Sequence, residues 1–351
     1  MKDDKIKLKD FSPQKVRDLI KGMKVPSYRG DQILDWVYRK KVQDFDEMTN
    51  LPLDLREKLK EEFRVTLLRL EEKLVSPRDG TVKYLFETLD GELLECAVML
   101  QDYGNTVCVS SQIGCGLNCI FCASAQGGLV RNLSGGEMLD QVILGEKFLG
   151  RGDSIKNIVV MGMGEPLLNL GNLILFLKTA NDPQGLGISY RNITVSTAGI
   201  TPGIIELARE ELPFTLAVSL HAPDDETRSR LMPVNRKYPL AGLMAACRKY
   251  VEMTGRRLTF EYILLSGIND SEEKAGQLAE LLGGLLCHVN LIPANPGGGE
   301  GIQRPDRKRI HEFYQVIEAA HIPVTIRKER GEDIQGACGQ LRRRKREVKG
   351  N

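Results

Sequence analysis

The sequence predicts an α/β fold: a partial barrel of six β/α units, (β/α)6, behind an N-terminal helical domain and a β extension. Three observations predict it. After about residue 104, short β-branched runs alternate with helical stretches, as in a parallel sheet with helical crossovers. The alternation repeats six times, short of the eight units of a closed barrel. Before that point, helical periodicity is followed by strand-like runs joined by turn signals. The implied divisions are a helical accessory domain at 1–65, a β extension at 66–103, the (β/α)6 core at 104–326, and a C-terminal segment at 327–351.

The N-terminal stretches "SPQKVRDLIKGM", "SYRGDQILDWVYRKK" and "LPLDLREKLKEEF" carry apolar residues at helical spacing. Ser12 followed by Pro13 is a helix start, a capping residue and then proline at the first position. Trp36, on an amphipathic helix, reads as core. Strand-like runs come next: "FRVTLLRLEEKLVS", "TVKYLFETL" and "ELLECAVML", with "RDG" and "LDGE" as hairpin turns. "NTVCVSSQ" opens the barrel, followed by "NIVVMGM", "NITVSTAG", "FTLAVSLHA", "RLTFEYILLSG" and "CHVNLIPAN", with "VTIRK" last. Helical segments separate them, among them "SGGEMLDQVILGEKFLG" and "LAGLMAACRKYVEMTG".

Composition narrows the class. Hydrophobic residues are 42% and charged residues 27% of 351, ordinary for a soluble globular chain. No apolar run reaches the roughly 18 residues of a membrane span. The start, "MKDDKIKLKDFSPQKV", is too charged for a secretory signal. A cytoplasmic protein with no membrane partner is expected. There the eight cysteines read as metal ligands, catalytic thiols or packing residues rather than a disulfide framework. Net charge is only +2, but the first 60 residues and "RKERGEDIQGACGQLRRRKREVKGN" are basic. Such clusters can hold nucleic-acid phosphates, or can simply be solvated.

The chemistry concentrates in "GCGLNCIFCASAQGG", where Cys115, Cys119 and Cys122 form a C-x3-C-x2-C array. The array follows the first barrel strand, so it falls on a loop at the C-terminal face, where such folds build their sites. Thiolates prefer soft metals. Zinc would want a fourth ligand, and the four histidines lie far off in sequence. An iron–sulfur cluster held by three cysteines would leave one iron open. Buried packing is the weakest reading, because the loop is glycine-rich rather than a periodic apolar face.

With Phe121 just before the third cysteine, the array resembles the radical S-adenosylmethionine (SAM) superfamily. The resemblance implies a [4Fe–4S] cluster on Cys115, Cys119 and Cys122 whose open iron chelates SAM. "VVMGMGEPLLN" resembles the superfamily's glycine-glutamate motif, which implies that Gly164 and Glu165 hold the methionine amine. "TVSTAG", "AVSLHAP" and "LIPANPGG" end successive strands. By the same resemblance Ser196, Ser219, Leu220, His221 and Asn295 would contact the rest of SAM. Each of these is also an ordinary cap or turn residue, so only the ordered series carries the reading.

Cys96, Cys247 and Cys287 sit in apolar contexts and read as core. Cys338 lies in the glycine-flanked "GEDIQGACGQL", where a flexible backbone and basic neighbours favour a reactive thiolate. Taken with "ECAVML", "CVSSQIGC", "SLHAP" and "GACGQL", nearly the whole chain resembles the bacterial dual-specificity ribosomal and transfer RNA adenine-C2 methyltransferases. That resemblance implies Cys338 as methyl acceptor, Cys108 as resolving thiol and Glu95 as general base. One SAM would methylate Cys338 and a second would supply a 5′-deoxyadenosyl radical that activates the methyl. Glu95 would remove the C2 proton, and a transient Cys108–Cys338 disulfide would release the product. The implied partners are 23S rRNA, tRNA and a reducing electron donor of the flavodoxin type, with the chain a monomer. The C8-methylating relative that confers ribosome-directed antibiotic resistance shares these motifs and stays open. So does a zinc-bearing RNA-binding protein of a different class.

Overall fold

The computed structural model describes residues 5–125, 127–150, 152–294, 302–327 and 330–334. The N-terminal module opens with strand β1 (Ile6–Lys7), followed by helices α1 (Pro13–Gly22), α2 (Tyr28–Leu34) and α3 (Leu53–Glu62), and closes with β2 (Phe63–Arg64), parallel to β1. Ser12 caps α1 by accepting the Lys15 N–H at 3.3 Å, with Pro13 at the first position. α2 runs on into a π-helical turn, Asp35–Arg39. Trp36 there is only half-buried. Its Nε1 donates to Asn50 Oδ1 at 2.5 Å, and Lys40 Nζ lies 3.7 Å from its ring centroid. The expectation of a core tryptophan holds in part: the ring packs against the hydrophobic core, while its polar edge and Lys40 meet it from outside.

The strand-like runs form a meander, β3 (Leu68–Val75), β4 (Val82–Thr88) and β5 (Leu93–Met99). The predicted turns hold Gly80 and Gly91 at φ 72° and 80°. The expected single run "FRVTLLRLEEKLVS" is broken, since Phe63–Arg64 pair with β1 while the Leu67 N–H is drawn to Asp140 Oδ2 at 2.6 Å. The barrel region follows: β6 (Asn105–Cys108), β7 (Gln112–Gly114), β8 (Leu129–Asn132), α4 (Gly135–Leu149), β9 (Ile155–Val160), α5 (Leu170–Asn181), β10 (Ile193–Thr197) and α6 (Thr201–Arg209). It continues with β11 (Thr215–Ser219), α7 (Asp225–Leu231), α8 (Leu240–Thr254), β12 (Leu258–Leu264), α9 (Glu272–Leu282), β13 (Cys287–Pro293), α10 (Arg307–Ala319) and β14 (Val324–Ile326).

Ten strands form one sheet in the order β14-β13-β12-β11-β10-β9-β6-β5-β4-β3. It is antiparallel from β3 to β6 and parallel from β6 to β14. β6 and β9 to β13 are the six expected units, and β14 adds a short parallel edge. The parallel strands lie side by side in chain order, as right-handed crossovers that keep their helices on one face require. β14 and β3 end the sheet without pairing with each other, so among the described residues the barrel is open. Sequence reading missed α7, α10 and the antiparallel β7–β8 pair, which peels away from β6 to carry the cysteine loop.

Strand alternation sorts the two faces. On β12, Tyr262 points outward onto Phe313 of α10, with ring centroids 5.1 Å apart, while Glu261 points to the concave side with Asn290 of β13. On β5, Cys96 points outward to the Gln141 carbonyl of α4, which places Glu95 on the concave side. Cys96, Cys247 and Cys287 are buried, as expected. The N-terminal module is fastened to α4 by a buried ion pair, Lys9 Nζ to Asp140 Oδ1. The Gly136 N–H also donates to Asp10 Oδ1 at 2.9 Å. A Cβ on Gly136 would lie 2.6 Å from that same oxygen, so only glycine admits the approach. No described helix is long and apolar enough to cross a membrane.

Candidate active site

The cysteine loop joins β7 to β8 and packs over the C-terminal ends of β9 to β11. Its backbone is held by Cys115 N–H to Gly128 O at 3.1 Å and Cys122 N–H to Cys119 O at 3.1 Å. A third bond, Ile120 N–H to Leu231 O at 3.1 Å, ties it to α7. Burial and the neighbouring thiols push Cys115 up to about 11 and Cys119 up to about 12. Cys122 contributes to both shifts, so the three sulfurs share one electrostatic neighbourhood. Among the described residues, no three His, Cys, Asp or Glu side chains are arranged to hold a single metal ion. The donor set itself, three soft thiols on one short loop, suits an iron–sulfur cluster. Metal loading would have to displace their protons.

The loop after β9 lies against the segment from β6 to β7. The Gly162 N–H donates to Val109 O at 3.0 Å, the Ser111 N–H to Met163 O at 2.9 Å, and the Glu165 N–H to Gln112 Oε1 at 2.8 Å. A Cβ at Gly162 would stand 2.5 Å from Ser110 Oγ, and one at Gly164 (φ +98°) 2.5 Å from Gln112 Cβ. Both glycines are therefore demanded by close backbone approach. Glu165 is buried and bridges two strand ends, accepting from the Leu167 N–H at 3.0 Å and the Ala198 N–H at 2.6 Å. Burial raises its carboxyl to about 7 against these bonds. Its charge is felt at Cys115 and Cys119, which puts it beside the cysteine loop.

Ser196 and Ser219 lie half-buried at the ends of β10 and β11. The Leu220 N–H donates to Glu261 O at 3.0 Å. His221 is buried with φ 61°, and its Nδ1 accepts the Ile263 N–H at 3.0 Å. That bond leaves the ring proton on Nε2. Burial, then the charge of Arg228, lowers His221 to about 3, so the ring is neutral at physiological pH. Its edge meets Phe121 with centroids 4.8 Å apart, locking the cysteine loop to β11. Gly164, Glu165, Ser196, Ser219, Leu220 and His221 are thus gathered at three adjacent strand ends under that loop.

A second group occupies the concave side of the meander. Ala97 of β5 pairs with Cys108 of β6, so Cys108 shares a face with Ala97 and Glu95. The Glu95 carboxylate is buried, with Lys83 Nζ of β4 at 3.3 Å and that lysine equally buried. Ser110 Oγ donates to Glu95 O at 2.7 Å and accepts the Met163 N–H at 2.9 Å, joining this group to the loop after β9. Lys83 and Ser110 were missed at the sequence level. The signal for Lys83 lies in the "LDG" turn, whose register sets Lys83 opposite Ala97 and diagonal to Glu95. Asn295 and Cys338 lie outside the described residues.

Residues 109–279 match the radical SAM superfamily, and residues 6–65 match the ribosomal RNA large subunit methyltransferase N-terminal domain. A probable dual-specificity RNA methyltransferase RlmN from Symbiobacterium thermophilum is 48% identical over 338 residues, 96% of this chain and 91% of that one. One of the same description from Pelotomaculum thermopropionicum is 50% identical over 342 residues, 97% and 92% of the two chains. The chain belongs to the RlmN family. A crystal structure of a radical SAM methyltransferase from Sphaerobacter thermophilus superposes with TM-score 0.92 at 45% identity, covering 95% of this chain and 98% of that one. Membership in the RlmN family makes the chain a radical SAM RNA methyltransferase that uses a [4Fe–4S] cluster and SAM and acts on RNA. The expected fold class holds as well.

Proposed function

We propose that the chain methylates C2 of adenine in both 23S rRNA and tRNA through an S-methylcysteine at Cys338. The observation that favours this reading is the burial of Glu95 on the same concave face as Cys108, joined through Ser110 to the loop that bears Glu165. Cys115, Cys119 and Cys122 would hold the cluster. Gly164, Glu165, Ser196, Ser219, Leu220, His221 and Asn295 would hold SAM, with the Glu165 carboxylate facing its ammonium. Together the cluster and SAM supply hydrogen-atom abstraction from an unactivated methyl group.

The remaining steps belong to the chain's own side chains. The Cys338 sulfur carries the one-carbon unit and joins it to C2 of the adenine. Glu95, held close to Lys83, accepts the proton that C2 must lose. The Cys108 thiolate then attacks the Cys338 sulfur, so that an S–S bond forms as the S–C bond breaks. The released methylene carbon takes up a proton to become the methyl group of methyladenine, and the one surplus electron of the radical adduct would return to the cluster. Cellular thiols would reduce the resulting disulfide. The target base must leave its stack to reach this face, and the basic helical module at 1–65 is suited to grip RNA by shape and phosphate. We assign a flavodoxin-type donor, a monomeric state and a cytoplasmic setting to the same reading.

The test is mass spectrometry of adenosine from treated RNA against C2 and C8 methyl standards. A C8 product would move the chain to the resistance-type activity. Cys108→Ala should accumulate a covalent enzyme–RNA adduct, and normal turnover by that variant would remove the resolving role.

A further inference from the structure

Arg228, on α7, is fully buried at 0% exposure. Its guanidinium reaches four acceptors, all neutral. Nε donates to Leu220 O at 3.0 Å, Nη2 to Ala198 O at 2.8 Å and Ser219 O at 3.1 Å, and Nη1 to Asn235 Oδ1 at 2.7 Å. Among the described residues it forms no ion pair with a carboxylate. Buried cations are ordinarily paired, since desolvation without a counter-charge is costly. Asp225 reaches it only through Asn235, whose Nδ2 donates to Asp225 Oδ1 at 2.8 Å, so the nearest carboxylate stands one side chain away.

The fold points to a further negative partner. α7 is bonded to the cysteine loop through Leu231 O, which accepts the Ile120 N–H one residue beyond Cys119. Arg228 also holds the Leu220 carbonyl, and the next residue, His221, meets Phe121 of the cysteine loop with ring centroids 4.8 Å apart. Gly199, at φ +102°, leaves the space that Nη2 occupies, since a Cβ there would come within 3.2 Å of it. Three thiolates and a cluster form a net anion, and gaining an electron makes it more negative. A buried positive charge without a carboxylate in direct contact lowers the free energy of that reduced form.

We propose that Arg228 is a positioning residue whose buried charge is the electrostatic partner of the cluster bound at Cys115, Cys119 and Cys122, easing the cluster's reduction. The proposal rests on reading those cysteines as cluster ligands. No other buried cation described here lies both on an element bonded to the cysteine loop and on the strand ends assigned to SAM.

Arg228→Met, Arg228→Gln and Arg228→Lys would each be reconstituted anaerobically with iron and sulfide beside the parent chain. Folding is read by circular dichroism, loading by iron and sulfide content, and the midpoint potential by a redox titration followed by electron paramagnetic resonance. The neutral variants should shift the reduction equilibrium at least tenfold towards the oxidised cluster, a midpoint lower by 59 mV or more for one electron. Lysine should stay within about threefold of the parent. Folded neutral variants that retain no cluster while lysine retains it would also support the proposal. A parent-like midpoint with Met or Gln, or lysine shifting as far as Met, overturns it. So do neutral variants that fail to fold beside a folded lysine variant, or failure of all three to fold or load. A parent chain that itself takes up no cluster would instead remove the reading of the three cysteines.

Discussion

At the residue scale, Glu165 carries the clearest pH signature. Its carboxyl stands near 7 because burial outweighs its backbone hydrogen bonds. Below that pH the unliganded group is increasingly protonated and offers less to an ammonium. SAM affinity should therefore rise as pH increases through about 7, with proton release on binding near neutrality. Calorimetry at pH 6 and pH 8 would measure both, and Glu165→Gln should weaken binding and flatten the pH dependence. Glu95→Gln should slow methyl transfer by about 100-fold or more, the usual scale for a lost general base. Product formation in single-turnover assays tests it, and a near-normal rate would exclude Glu95 as the base. The cysteines and Glu165 were legible because their chemistry is local, a loop composition beside a strand end. Lys83 and Arg228 were not, because a buried cation acquires meaning only from partners that strand register or a helix turn brings to it.

At the element scale, the β4–β5 turn is tied to the strand that follows the cysteine loop. Arg131 of β8 forks onto Asp90, with Nη2 to Oδ1 at 2.6 Å and Nε to Oδ2 at 2.7 Å, and onto Glu137 of α4 at 2.9 Å. The Arg131 guanidinium holds Asp90 down at about 2. Stability from Asp90 is thus present above the ordinary carboxylate range and fades as pH falls towards 2. Arg131→Ala should cost about 2 kcal/mol, mainly by leaving the buried Glu137 short of a partner. Urea unfolding at neutral pH measures the loss, and an unchanged midpoint would show the fork to be idle. Gly164→Ala should cost about 1–3 kcal/mol, from its positive φ and its contact with Gln112. The same unfolding assay, compared with an alanine at the open Gly171, would isolate that effect. Hairpin turns and the Ser12 cap were readable from local residue types. The β7–β8 pair and α7 were too short for periodicity to show against their surroundings.

At the scale of the whole molecule, the helical module and the barrel are joined through α4. Lys9 and Asp140 are both buried there, with the Leu67 N–H on the second carboxylate oxygen. Asp140→Ala would strand a buried ammonium, and a loss of about 3–5 kcal/mol follows. A drop in the urea midpoint read by Trp36 fluorescence checks it, since that tryptophan reports on the module. Replacing both partners with apolar residues should recover much of the loss.

By itself the sequence determined the six β/α units, the cysteine array and the order of polar strand ends. Each of these is written in local periodicity and composition. Only the tertiary structure decided that Glu95 and Cys108 share one concave face, that Lys83 accompanies that carboxylate, and that Arg228 is buried on the helix bonded to the cysteine loop. Those facts depend on pairing between segments distant in the chain, which a one-residue slip of register would reverse.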